Sequence, residues 1–507
     1  MNRKPLLATV LLVAAATWPA LALDLEQFEK NLTMTTLDNG LTLLVYERPT
    51  APVVSFFTFV NVGAAQEVPG ITGLAHMFEH MAFKGTATVG TKDFKAEQKA
   101  MEQEDRAYAA YAAERTRAGG PRPGKLEELK KAFDQARDAA AELVARDEFS
   151  EIIDRAGGVG MNAGTGADMT AYMMALPANK VELWATLESE RFLGPVFREF
   201  YQERDVVQEE RRMRTESQPI GRLLEQFTTT AFQAHPYGQP VVGHMSDLRS
   251  FTRQDAREFY EKYYVPSNMT VAVVGDVQAE ETMPMLERYF GRLAAGPAPP
   301  PLRTEEPEQI AEKVVTLPDP SQPVYMEGYH RPSVHHADDA VYDAIADVLS
   351  TGRTSRLHRS LVRDKQIAAF AGAFNGYPGT KYPHLMLFFA MTTPGHSNAE
   401  IQEAIRVQIE RLKNEPVGDE EMLMVKTRAK AGLIRGLSTN GGIARQLAMH
   451  QAQLGDWREL FRSVERIEKV TQEDIMRVAQ ATFVPTNRTV AMIVNNEEDN
   501  ASDAEGE

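Results

Sequence analysis

The chain reads as an α+β protein built from two homologous halves, each a mostly antiparallel sheet flanked by helices. Three observations predict this. The chain repeats itself once: Tyr264-Val-Pro266-Ser-Asn268-Met-Thr270-Val-Ala-Val-Val274 returns as Phe483-Val-Pro485-Thr-Asn487-Arg-Thr489-Val-Ala-Met-Ile-Val494, an offset of 483 − 264 = 219 residues. Between the copies, Gly296-Pro297-Ala-Pro299-Pro300-Pro301 can continue neither a helix nor a central strand and reads as a stiff spacer. On either side, strand-like and helix-like runs alternate.

The repeat fixes the outline. Both copies are turns opening into a Val-rich strand. Each follows a helix with a threonine N-cap, Thr252 in one and Thr471 in the other. A repeat carried by helix and strand together implies two copies of one fold. The expected organisation is a first half over residues 23–295, a linker over 296–310, a second half over 311–495 and an acidic, disordered tail over 496–507. Residues 41–46 and 53–60 read as adjacent strands of the first sheet, and 324–329 as a strand of the second.

The first half is longer because of an insert over residues 95–150. Two runs rich in Ala, Glu, Lys and Arg, separated by Gly119-Gly-Pro-Arg-Pro-Gly124, predict an antiparallel helical hairpin with a breaker turn.

The N-terminus reads as an export signal over residues 1–22. Asn2-Arg3-Lys4 is a short basic start, residues 6–18 are apolar, Pro19 breaks the run, and Ala20-Leu21-Ala22 is an A-x-A cleavage site. The expected location is a bacterial periplasm, with no stable membrane anchor after cleavage, because the run is short for a span. A net charge of −16 argues against a nucleic-acid partner. With no cysteine, the chain has no disulfides, thiolate metal ligands or Cys nucleophile, so any metal is held by His, Asp and Glu.

The chemistry centres on His76-Met77-Phe78-Glu79-His80. On a helix, residues four apart share a face, so both imidazoles reach one ion with Glu79 beside them. Two neutral imidazoles suit zinc. A carboxylate that is not a ligand can take a proton from water activated there. This is the H-E-x-x-H zinc-peptidase motif in reverse order.

A third ligand must come from elsewhere, and the helical stretch 202–212 offers Glu203, Glu209 and Glu210. Glu203 and Glu210 lie two turns apart on nearly the same face, so one could bind metal while the other orients a histidine. Spacing alone does not choose between Glu209 and Glu210.

These segments resemble the pitrilysin/insulinase-type zinc peptidases, in particular the branch of the mitochondrial processing peptidase β-subunit and its bacterial relatives. The resemblance spans nearly the whole mature chain. It rests on Gly73-Leu-Ala-His76-Met-Phe-Glu79-His80-Met-Ala-Phe-Lys-Gly-Thr86 and on Glu203-Arg-Asp-Val-Val-Gln-Glu-Glu210. It implies His76, His80 and Glu210 as ligands of one zinc per chain, Glu79 as catalytic base and Glu203 as supporting acid. It also implies a half-clamshell enclosing a chamber for peptides or unfolded segments.

Gly157-Gly158-Val-Gly-Met161-Asn162-Ala163-Gly-Thr165 looks like the family's edge strand, where Asn162 and Ala163 would pair with an extended substrate and 170–176 would be the partner strand. The family usually supplies an Arg and a Tyr, seven apart, from its C-terminal domain. Here Arg363 is present but Phe370 stands in the tyrosine's place, and a phenyl ring donates no hydrogen bond. That departure implies a partner, a homologous zinc-free subunit in a heterodimer, or a homodimer in which another group such as Tyr377 substitutes. In the second half, Asp343 and Asp347 fall opposite the histidine pair. Two rival functions remain open: a non-catalytic peptide-binding or scaffold subunit, and a zinc hydrolase acting on non-peptide substrates.

Overall fold

The structure, a computed structural model, describes residues 25–495. The export-signal segment and the acidic tail lie outside the described residues. Eleven strands form two sheets: β1 Leu32–Thr36, β2 Thr42–Glu47, β3 Val53–Val60, β4 Val159–Thr165, β5 Thr170–Pro177 and β6 Met269–Gly275 in the first, and β7 Lys313–Pro318, β8 Val324–Arg331, β9 Ala368–Tyr377, β10 His384–Thr392 and β11 Arg488–Val494 in the second. The strand orders are β1-β2-β6-β3-β5-β4 and β7-β11-β8-β10-β9. Leaving out β1, the two orders are the same arrangement.

Each sheet has one parallel pair, β2 with β6 and β7 with β11, and is otherwise antiparallel. Here one expectation fails. β2 and β3 are not adjacent, because β6 lies between them, parallel to one and antiparallel to the other. Every residue of β6 is buried, and a strand apolar on both faces is most stable with a neighbour on each side. Chain order therefore misleads about spatial order at this point.

Alternation along the strands sorts the core into layers. In the first sheet, Leu43, Val45, Phe56, Val271 and Val273 face a cluster with the helices of their own half. Leu44, Phe57, Phe59, Ala272 and Val274 point the other way, onto Ile443, Ala444, Leu447 and Ala448 of the helix Asn440–Leu454. That helix belongs to the second half. The second sheet is covered reciprocally: Val324, Met326, Leu385, Leu387, Ala491 and Ile493 pack under Leu223, Phe227 and Ala231 of the helix Pro219–Ala231, from the first half. Gly328 of β8 makes room for this contact, since a Cβ there would lie 2.6 Å from the Phe227 ring. The halves thus exchange one covering helix each.

The hairpins at the two sheet edges also meet. Asp168, between β4 and β5, accepts the Tyr237 hydroxyl (2.7 Å) and the backbone N–H groups of Thr380 (2.8 Å) and Lys381 (3.1 Å), between β9 and β10. Two long helices, Phe94–Arg115 and Pro123–Ala141, occupy the insert and pack on one another. No helix among the described residues is long and apolar enough to cross a membrane.

Candidate metal centre

The helix Leu74–Met81 carries the histidine pair and starts from Gly73, whose φ of 95° favours glycine. A Cβ at Gly73 would also come within 2.7 Å of the Val242 carbonyl oxygen. The residue before the helix has no side chain to cap it. Glu67 does so from six residues upstream, accepting the N–H groups of Gly73 and Ala75, each at 2.7 Å. Burial pushes the Glu67 carboxyl up to about 8, against the pull of those two donors. Asp247 pins the preceding loop through the Gly70 N–H (3.0 Å), the Thr72 N–H (3.2 Å) and the Thr72 hydroxyl (2.7 Å).

Leu74, Ala75, Met77, Phe78 and Met81 anchor the helix in the core. The loop that follows it is gripped by Arg198. This buried guanidinium donates to the carbonyls of Lys84 (2.6 Å), Thr86 (2.7 Å) and Val89 (2.7 Å), and to Glu97 (2.7 Å) on the first helix of the insert. The insert is therefore wired to the metal centre. A buried pair of this kind is costly to break, because one charge would be left alone.

The third group comes from the helix Phe200–Arg211, which buries Phe200, Tyr201 and Val207 and turns Glu203 and Glu210 toward the histidines. One Glu210 oxygen lies 3.1 Å from His80 Nε2 and the other 3.6 Å from His76 Nε2. Glu209 points elsewhere and pairs with Arg212 at 2.7 Å. Among the described residues, His76, His80 and Glu210 are the one group whose potential ligand atoms all lie within 4.8 Å of one another. Two imidazole nitrogens and a carboxylate oxygen match the protein donors of a catalytic zinc site, so the donor set fits the ion.

Glu203 stands behind this set. Its carboxylate is 3.6 Å from His80 Nδ1 and 2.5 Å from Lys84 Nζ, and Lys84 also reaches Glu199 at 2.9 Å. A carboxylate on the far nitrogen of a ligand histidine fixes its tautomer and orientation. Electrostatics distinguish the two imidazoles. Burial pulls His76 below its ordinary value, outweighing the Glu210 charge. Burial also pulls on His80, but Glu203 and Glu210 overcome it and the net shift is upward. Two cations already pair with these carboxylates, Lys84 with Glu203 and Arg214 with Glu210 at 2.6 Å. Glu79 is half-buried on the same helix, and its carboxylate has no hydrogen bond or ion pair among the described residues.

The remaining expected site residues divide into two groups. Asn162 and Ala163 lie on β4, which pairs only with β5 and forms the free edge of the sheet. The strand lies against the motif helix, where the Thr165 hydroxyl reaches the Ala75 carbonyl at 3.4 Å. The Ala163 N–H is taken by the Asn162 side chain at 2.9 Å. Arg363 is not brought to the cluster: it lies in the turn His358–Asp364 of the second half, exposed, with its guanidinium on Asp364 at 2.6 Å. Phe370 is 44% exposed on β9, and the Tyr377 hydroxyl is engaged with Thr228 at 2.7 Å. Glu67, Arg198 and Glu97 escaped the sequence reading because lone residues far apart in the chain carry no periodic signal.

The chain matches two models of one family: "Insulinase (Peptidase family M16)" over residues 42–115 and "Peptidase M16 inactive domain" over 250–429. It is 28% identical to the zinc protease PqqE of Helicobacter pylori over 90% of this chain and 91% of that protein. The crystal structure of a protease from the same organism superimposes with a TM-score of 0.76 at 27% identity, covering 91% of this chain and 99% of the other. A peptidase M16 inactive domain from Pseudomonas fluorescens superimposes with a TM-score of 0.71 at 16% identity over 92% and 98%, a likeness of fold alone. The matched models, the two-sheet fold and these relatives agree: the chain belongs to the insulinase-type peptidase family M16.

Proposed function

We propose that this chain is an active, exported zinc metalloendopeptidase that cleaves peptides or unfolded segments. The observation that carries the reading is the convergence of His76, His80 and Glu210 beside Glu79, whose carboxylate is uncommitted. The zinc-protease names of the relatives support it. A zinc ion held by the three residues would polarise a substrate carbonyl and lower the pKa of water. His76, His80 and Glu210 would hold the ion, and Glu203 would orient His80. The β4 edge aligns an extended peptide by strand addition, next to the motif helix. Glu79 takes a proton from the attacking water and returns it to the departing amine, so the amide C–N bond breaks as the C–O bond forms.

Export and a periplasmic location rest on the basic, apolar and A-x-A pattern of residues 1–22. A homologous zinc-free partner is favoured by Phe370, which offers no hydroxyl on the exposed face of β9. The same residue keeps the second reading open, a peptide-binding subunit without turnover. The test is zinc content together with cleavage of an unstructured peptide. Wild type should hold about one zinc, and Glu79→Gln should keep the metal while losing about two to four orders of magnitude in rate. Full activity in Glu79→Gln would overturn the mechanism, and a zinc-loaded wild type that binds peptide without cleaving it, with or without a partner, would establish the second reading.

A further inference from the structure

The helix Phe200–Arg211 does not end as an ordinary α-helix. It runs into a wider π-type turn, Arg212–Glu216, closed by a hydrogen bond from the Ser217 N–H to the Arg212 carbonyl at 2.8 Å. Such turns are frequent at functional sites. This one carries Arg214. Its Nη1 lies 2.6 Å from the Glu210 oxygen that faces His76, yet the side chain is 75% exposed. The neighbouring arginines are committed elsewhere: Arg211 is buried on Glu225 and the Gly243 carbonyl, and Arg212 pairs with Glu209. Arg214 is thus the guanidinium in contact with a candidate ligand, and Glu210 is its one ion-pair partner among the described residues.

Its surroundings point to substrate. Arg214 also borders a largely apolar cavity of about 310 Å³ lined by Gly166, Ala167, Leu224, Val242 and Tyr377. Gly166 and Ala167 follow β4 directly in the chain, their carbonyls held by the Ala64 and Ala65 N–H groups, so one wall of the cavity is the end of the edge strand. A guanidinium there has further N–H groups to offer besides the one on Glu210, and it stays charged at any working pH.

We propose that Arg214 is a catalytic residue of this chain, donating to the scissile carbonyl oxygen as that oxygen gains negative charge. The assignment rests on the peptidase reading. Arg214 gives up no proton. Its N–H groups stabilise the charge that develops on the oxygen, while water supplies the atoms of the new bond and Glu79 carries the proton. A counter-ion role is the competing account, in which Arg214 only balances Glu210.

The experiment compares wild type, Arg214→Ala, Arg214→Lys and Glu79→Gln. Three quantities are measured: zinc affinity by chelator competition, steady-state cleavage of an unstructured peptide, and affinity of the zinc-loaded proteins for a phosphinic peptide that mimics the charged transition state. Loss of a donor to a developing oxyanion costs about a hundredfold or more in kcat. Arg214→Ala should show that loss and a parallel loss of phosphinic-peptide affinity, with zinc held as tightly as in wild type or more so. Arg214→Lys should recover part of both. Zinc affinity altered with kcat and inhibitor affinity within about threefold of wild type, well short of a missing oxyanion donor, would leave only the counter-ion and overturn the proposal. In that event an inactive Glu79→Gln keeps the peptidase reading standing. A wild type that cleaves no peptide removes that reading and this proposal with it.

Discussion

The two halves place the same helix in the same position and use it for opposite ends. In the first, the helix Leu74–Met81 presents His76 and His80 to Glu210 from the helix Phe200–Arg211. In the second, the helix Asp339–Ser350 presents Asp343 and Asp347, also four apart. The counterpart of the Glu210 helix, Asp419–Gly436, begins 219 residues after it (419 − 200) and brings Arg428 to Asp347 at 2.8 Å, while Asn375 donates to Asp343 at 2.7 Å. The first site gathers two imidazoles and a carboxylate on one point, whereas the second holds each aspartate with a donor of its own half. The scaffold is therefore neutral as to chemistry, and a few side chains decide whether it calls for a metal.

The largest effect should come from breaking the first arrangement. Glu210→Ala is expected to lower zinc affinity by about a hundredfold or more, beyond the loss typical of second-layer partners. Replacing Asp343 and Asp347 together by His should not raise zinc content above that of wild type, because Arg428 then occupies the place of the third ligand. Metal analysis of both variants checks the contrast, and a second zinc in the double variant would break it. Next in size, Phe227→Ala should destabilise the whole chain by about 3–5 kcal/mol, read from urea unfolding, since the ring fills the space over Gly328 in the other half.

A smaller effect is expected at Glu67, which has no equivalent role assigned in the second half. Glu67→Ala would leave two backbone N–H groups at the helix start without their acceptors, at a cost of about 1–3 kcal/mol. The pH dependence has a definite sign. With the folded carboxyl raised from 4.5 to about 8, the folded state binds more protons than the unfolded one between those values. The stability it contributes is complete below 4.5 and is lost as pH rises toward 8. Metal-free Glu67→Gln should therefore lose less stability than wild type over that interval, as followed by denaturant titration. Last, Ala163→Pro on the β4 edge, which removes the N–H that Asn162 holds at 2.9 Å and that a substrate strand would take over, should raise KM by about two- to tenfold with zinc retained. Unchanged KM would return β4 to a structural edge.

What was legible in the sequence was local or repeated. His76 and His80 announce themselves because helical spacing converts sequence distance into a shared face, and the 219-residue repeat exposes two copies of one strand and helix. Glu203 and Glu210 were visible as a pair, but the choice against Glu209 needed a resemblance, because all three stand in one stretch of alternating acidic and basic residues. The order of β2, β6 and β3 was hidden because strand pairing is settled by burial and not by proximity in the chain. The helix exchange was hidden for a related reason. An amphipathic pattern tells that a helix covers something apolar, and says nothing about which sheet it covers. The tasks of Glu67 and Arg198 are fixed only in three dimensions, by backbone groups that arrive from other segments.

That reciprocal covering changes what the proline-rich connector means. Residues 296–310 read as a stiff spacer in the sequence, yet each half reaches past them to roof the other, and Asp168 fastens the two edge hairpins together. A nick in the connector should leave two interlocked pieces, whereas either piece made alone would expose a bare sheet face. The connector is itself bound to both halves, with Glu306 accepting the N–H groups of Gln233, Ala234 and His235 and Gln309 donating to the Arg488 carbonyl, so the line where the sequence looks most easily cut is crossed by many contacts.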